Sequence, residues 1–104
     1  MNKQCENLAA EIIKESKTLM DEEYWKEKET PEGEYKENVA SRLMDRLETA
    51  IGRYELYDCK IPNKEDWDSA KNEIDFVYSY RLIKKYPEKA DRIGKKLISN
   101  LEGL

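Results

Sequence analysis

The sequence contains no histidine. That absence excludes the Ser-His-Asp and Cys-His nucleophile systems, histidine metal centres and the Glu-x-x-His ligand pattern of di-iron bundles. Carboxylates, lysine, tyrosine and cysteine remain as chemical equipment. Glycine and proline are scarce, at four and three, which argues against architectures rich in tight turns. The two cysteines, Cys5 and Cys59, are too few for a disulfide scaffold and lack the C-x-x-C spacing of a redox or zinc motif. No apolar run approaches the roughly 18 residues of a membrane span. The opening residues, MNKQCENLAAEII, lack the apolar core of a signal peptide. The expected location is therefore the cytoplasm, with both cysteines as free thiols packed like small hydrophobes.

What is present is charge and aromatic surface. Charged residues make up 40% and apolar residues 38%, yet the net charge is only −4 because both signs are interspersed. Two Trp, seven Tyr and one Phe distinguish the chain from disordered sequences, which combine high net charge with few aromatics. A chain of 104 residues is one domain. It should bury roughly 65% of the surface its unfolded form exposes, enough for one core.

Apolar residues repeat at three and four, the spacing of one helix face, in four stretches. The first runs over residues 3–29, with Cys5, Leu8, Ala9, Ile12, Ile13, Ser16, Leu19 and Met20 on the stripe; Glu11, Lys14, Glu15 and Lys17 lie on the other face. Thr30, Pro31 and Gly33 break the pattern. The second helix is predicted from about residues 31–34 to Tyr57 or Asp58, with stripe residues Tyr35, Val39, Ala40, Leu43, Leu47, Ala50, Ile51 and Tyr54 and Met44 flanking them; Gly52 suggests a close helix approach. Pro62 ends that region, and Asn63 is placed to cap a third helix reaching Tyr86. Within it, Ile74–Ile83 also alternates like a strand, but DWDSAKNE before it is helical and no pairing strand is visible elsewhere. Pro87 suits the first position of a fourth helix, with Ala90, Ile93, Gly94, Leu97, Ile98 and Leu101 facing inward and Gly103 placed to end it. The expected fold is all-α, a small antiparallel bundle of four amphipathic helices in one domain. If the first two helices turn near residues 30–33, Cys5 and Cys59 fall at the same level, at the end opposite that turn.

Several constellations invite a functional reading. Asp45 and Glu48, and again Glu55 and Asp58, are spaced at three along the second helix, a spacing similar to that of carboxylates in helical Mg²⁺-dependent hydrolases. Mg²⁺ needs oxygen ligands converging on one point, and no matching inward carboxylates appear on another segment. Arg42, Arg46 and Arg53 line the same helix, and arginine grips phosphate with two parallel hydrogen bonds. They define an anion or nucleotide site, or else pair with acids of a neighbouring helix. Beyond Tyr80, seven Lys or Arg face three acids, a basic quarter suited to nucleic acid or an acidic surface. Residues 21–37 hold eight acids against three lysines, an acidic tip that could occupy a basic groove on another protein. Trp25 stands beside it as a candidate anchor.

The third helix carries two apolar stripes. Trp67, Ala70, Ile74, Tyr78 and Leu82 fall on one face, and Phe76, Tyr80 and Ile83 on nearly the opposite one. A helix at a bundle corner needs only one. Either the helix sits centrally and is covered on both sides by the other three, or the second stripe, flanked by Arg81 and Lys84, is the candidate surface for a partner protein or for a second copy of the chain. These readings favour a non-enzymatic protein-binding module, an inhibitor, immunity or adaptor protein, acting without cofactor or metal and away from membranes. The alternatives are a nucleotide or nucleic-acid binder using Arg42, Arg46, Arg53 and the basic quarter, and a carboxylate-Mg²⁺ hydrolase.

Overall fold

The computed structural model describes residues 2–27, 34–77 and 79–102. Its elements are α1 (Lys3–Met20), α2 (Glu22–Glu27), α3 (Glu34–Leu56), α4 (Lys64–Ile74), a 3-10 turn (Asp75–Val77), α5 (Tyr80–Lys85) and α6 (Pro87–Glu102). The fold is all-α; no strand occurs among the described residues, so the alternation near Ile74–Ile83 does not make one. Two of the four expected helices are divided. The break at residues 30–33 and the terminal Gly103 lie outside the described residues.

Both divisions are made by short polar side chains. At Asp21 the backbone leaves helical geometry (φ −86°, ψ 100°). Its carboxylate accepts the N–H groups of Glu23 and Tyr24 at 3.1 and 3.3 Å, so one residue closes α1 and opens α2. At the second break the chain tightens over Asp75–Val77, and Ser79 Oγ accepts the Leu82 N–H at 3.2 Å to start α5. Pro87 occupies the first position of α6, as expected.

α1 packs on both α3 and α6, α6 packs also on α4, and α5 rests on α3 and α6. The inward stripes merge into a single core, with Ile12, Leu43, Met44, Leu47, Tyr54, Trp67, Ile93 and Leu97 all fully buried. Tyr54 and Trp67 bring α3 and α4 together, with ring centroids 5.3 Å apart. Helices α1 and α6 approach closely at Gly94. A methyl group there would meet the Met20 side chain and sit 3.2 Å from the Ser16 carbonyl. The expected close approach at Gly52 is absent: a side chain there would meet nothing within 4 Å. One stripe assignment on α1 also changes. Glu15 is buried rather than solvated, with Arg46 Nε 3.4 Å from its carboxylate.

The expected level of the cysteines is borne out, and their expected chemical state is not. Cys5 and Cys59 lie 5.7 Å apart at Cα and are joined as a disulfide, well inside the roughly 12 Å that neighbouring helices allow. The local sequence explains how the two are aimed at each other. Asn2 Oδ1 accepts the Cys5 N–H at 2.8 Å and fixes the start of α1. At the end of α3, Asp58 adopts a left-handed conformation (φ 56°). The Asp58 N–H then donates to Glu55 O at 3.0 Å and the Cys59 N–H to Tyr54 O at 3.1 Å. These two bonds form a Schellman cap that turns Cys59 back toward α1. The Tyr54 hydroxyl donates to the Lys60 carbonyl and holds the outgoing chain. Burial raises the pKa of that hydroxyl. Asn100, buried on α6, accepts the Asn63 N–H at 2.7 Å and donates to Lys96 O at 3.1 Å, tying the α3–α4 joint to the last helix.

Candidate functional site

The second apolar stripe of the third expected helix does not survive as one face, because the helix is divided at Asp75 and recapped at Ser79. Its three members part company. Phe76 is 53% exposed and Ile83 only 5%, while Tyr80 is half-buried against Trp25, ring centroids 6.0 Å apart. Trp25 is not an exposed anchor either. It is 7% exposed, and its indole Nε1 donates to Leu19 O at 3.0 Å. Trp25 instead pins α2 back onto the end of α1 and the start of α5.

Four of the six residues singled out for partner binding nevertheless meet. Trp25, Tyr80, Ile83 and Lys84 line one groove of about 730 Å³ between the α1–α2 corner and the start of α6. Leu19, Met20, Pro87 and Ala90 complete its apolar lining, and Glu22, Glu88 and Asp91 stand with Lys84 as its charged groups. Phe76 and Arg81 are outside it. Lys89 Nζ sits 3.6 Å from the Phe76 ring centroid, covering one face of that ring with a cation.

The acidic stretch and the basic quarter meet at one point among the described residues. Glu22 of the acidic stretch and Lys84 of the basic quarter border the same groove; Glu29 and Glu32 of that stretch lie outside the described residues. Much of the basic quarter is engaged within the fold. Arg92 Nε lies 3.1 Å from Glu73, Lys96 donates to Ser69 Oγ at 2.8 Å, and Lys95 pairs with Asp91 at 2.6 Å. The two ion pairs contribute roughly 0–1 kcal/mol each, but they partly neutralise the field a phosphate would feel.

The arginine row is likewise set among acids. Arg46 pairs with buried Glu15. A shallow depression holding Arg46 and Arg53 also holds Glu11 and Asp45. Arg42 is exposed on the same helix. The carboxylates do not form a metal centre. Glu55 receives Lys71 at 2.8 Å, Lys64 at 3.6 Å and the Trp67 indole N–H at 3.3 Å. Asp58 sits in the helix cap, and Asp45 is exposed. Among the described residues no three His, Cys, Asp or Glu are placed to hold a metal ion. Glu48 has its pKa raised, first by burial and then by Asp75, whose carboxyl repels and hydrogen-bonds it, with Asp45 adding to the effect. That pair joins α3 to the 3-10 turn.

The groove residues missing from the sequence reading are Leu19, Met20, Glu22, Pro87, Glu88, Ala90 and Asp91. The signal that could have found them is Asp21-Glu22-Glu23, an N-cap followed by first-turn acids, which folds α2 back over the end of α1. No protein-family model matches the chain, and comparison with curated proteins and with solved structures finds no match. Among the described residues no helix is long and apolar enough to cross a membrane.

Proposed function

We propose that this protein is a small non-enzymatic binding module of the inhibitor, immunity or adaptor kind, and that its groove holds a segment of another protein. The observation that carries the reading is the convergence of Trp25, Tyr80, Ile83 and Lys84, from two distant parts of the chain, on one groove of about 730 Å³. Leu19, Ile83 and Ala90 give it an apolar floor, and Glu22 and Glu88, beside Lys84 and an Asp91 already paired with Lys95, give it an acidic rim. That chemistry suits a segment presenting a few apolar side chains flanked by Lys or Arg, in the manner of an amphipathic helix laid in a groove. The volume is that of a site for a few anchoring groups rather than for a folded surface.

The test compares proteins retained from a native-host extract by the wild type, by the double variant Glu22→Lys with Glu88→Lys, and by Arg42→Glu with Arg53→Glu. Both pairs are exposed, so melting temperatures should stay close to wild type. The expected result is a protein retained by the wild type and the arginine variant but lost from the groove variant. Retention indifferent to the groove variant overturns the reading. So does recovery of nucleic acid that disappears with the arginine variant and at raised salt.

A further inference from the structure

The disulfide between Cys5 and Cys59 is enclosed. Cys5 is 3% exposed and Cys59 8%. Disulfide exchange needs a thiolate to approach one of the two sulfurs, and redox-regulated cysteines are accordingly exposed and poised beside charge. Here the bond is packed into the same core as Leu8 and Tyr54. Both cysteines are positioned by backbone motifs of their own, the Asn2 cap and the Asp58 turn. A thiolate from a soluble thiol pool reaches this bond only when the α1–α3 end opens.

We propose that the Cys5–Cys59 bond is permanent, is installed during folding by exchange with a protein disulfide donor, and places the protein's working life in a compartment whose thiols are held oxidised. In the first exchange, the deprotonated sulfur of one cysteine attacks the donor's disulfide. A mixed disulfide forms and one donor thiolate leaves. The second cysteine, deprotonated in turn, attacks the chain's sulfur in that mixed disulfide and expels the other donor thiolate. The chain gives up two electrons and two protons, and the donor ends as a dithiol. The cysteines are 54 positions apart in sequence, so the second exchange follows the pairing of α1 with α3 that brings them together. The cytoplasmic expectation is replaced, because a reducing thiol pool keeps such pairs open. A partner for the groove would have to be met in the same compartment.

The test is thiol trapping in the native host. Cells are quenched in acid, alkylated with N-ethylmaleimide before any reductant is added, and their peptides read by mass spectrometry. The expected result is a Cys5 peptide linked to a Cys59 peptide, with neither sulfur alkylated. Alkylation of both overturns the proposal. The same alkylation is applied to the other proteins of whichever fraction contains the chain. Neighbours rich in disulfides, inside or outside the cell membrane, support the compartment. A closed Cys5–Cys59 bond among neighbours whose thiols are all alkylated overturns it.

Discussion

Opening the disulfide should cost this fold a large part of its stability, and the amount follows from the length of chain the bond closes. The two cysteines are 54 positions apart. In the chain-entropy account, a loop of that length removes about 14 cal/mol/K from the unfolded ensemble, or about 4 kcal/mol at 25 °C. Nothing in the folded state should offset the loss, since two reduced thiols pack in the same core as small hydrophobes. A domain of this size has roughly 5–15 kcal/mol in all, so the reduced protein should stand near the edge of folding. At about 4–8 °C per kcal/mol, the melting temperature should fall by roughly 15–30 °C. The assay is far-UV circular dichroism of the oxidised protein, the reduced protein, Cys5→Ala, Cys59→Ala and the double variant. Loop closure makes a specific demand: either single substitution opens the loop completely, so the double variant should melt with the singles. A drop under about 5 °C on reduction would refute the reasoning. A double variant losing the sum of the singles would trace the effect to packing at each cysteine.

Four further outcomes are expected. Gly94→Ala should destabilise by about 1–3 kcal/mol despite alanine's better helix propensity, and Met20→Ala in the same chain should recover part of the loss in a double-mutant cycle. Asp58→Val should lose about 1–2 kcal/mol because a β-branched residue resists the left-handed conformation, whereas Asp58→Gly should melt at or above wild type. Ile83→Glu should unfold the protein by burying an unpaired charge, while Phe76→Ala should shift the denaturation midpoint little, since that ring is half in solvent. Glu48 has a folded-state pKa above its ordinary 4.5, so its protonated form contributes stability in full below that pH and loses it as pH rises through the folded value. Glu48→Gln should therefore match wild type in acid and melt higher toward neutrality; a constant difference across the titration would contradict the assignment.

The parts of the fold that one face of a helix determines were readable from the sequence. The inward stripes of α1, α3 and α6 follow the three-and-four spacing, Pro87 starts α6, and the register of α1 against α3 put Cys5 beside Cys59. Their oxidation was not readable, because spacing fixes proximity while the thiol state depends on surroundings the chain does not name. The two divided helices were misread for a shared reason. Asp21 and Ser79 each interrupt an apolar pattern that continues across them, and periodicity outweighed the cap. With the third helix taken as unbroken, Phe76, Tyr80 and Ile83 fell on a second face. The 3-10 turn at Asp75–Val77 changes the angular count, which leaves Phe76 outside and takes Ile83 into the core. The groove was the least legible feature, since α2 folding back at Asp21 creates one wall of it.

The bond between Cys5 and Cys59 also makes more than half of the chain a closed ring. Residues 60–104 leave that ring from one side and residues 1–4 from the other. A single cut by a protease anywhere between the two cysteines, including the stretch between α2 and α3, opens the ring without releasing a fragment. Such a nicked molecule remains covalently whole, runs as one species on a gel until reductant is added, and keeps both of its parts paired across α1 and α3. A cut after Cys59 has no such protection: α4, α5 and α6 are then held to the rest by packing and by non-covalent contacts such as those of Glu55 with Lys71 and the Trp67 indole.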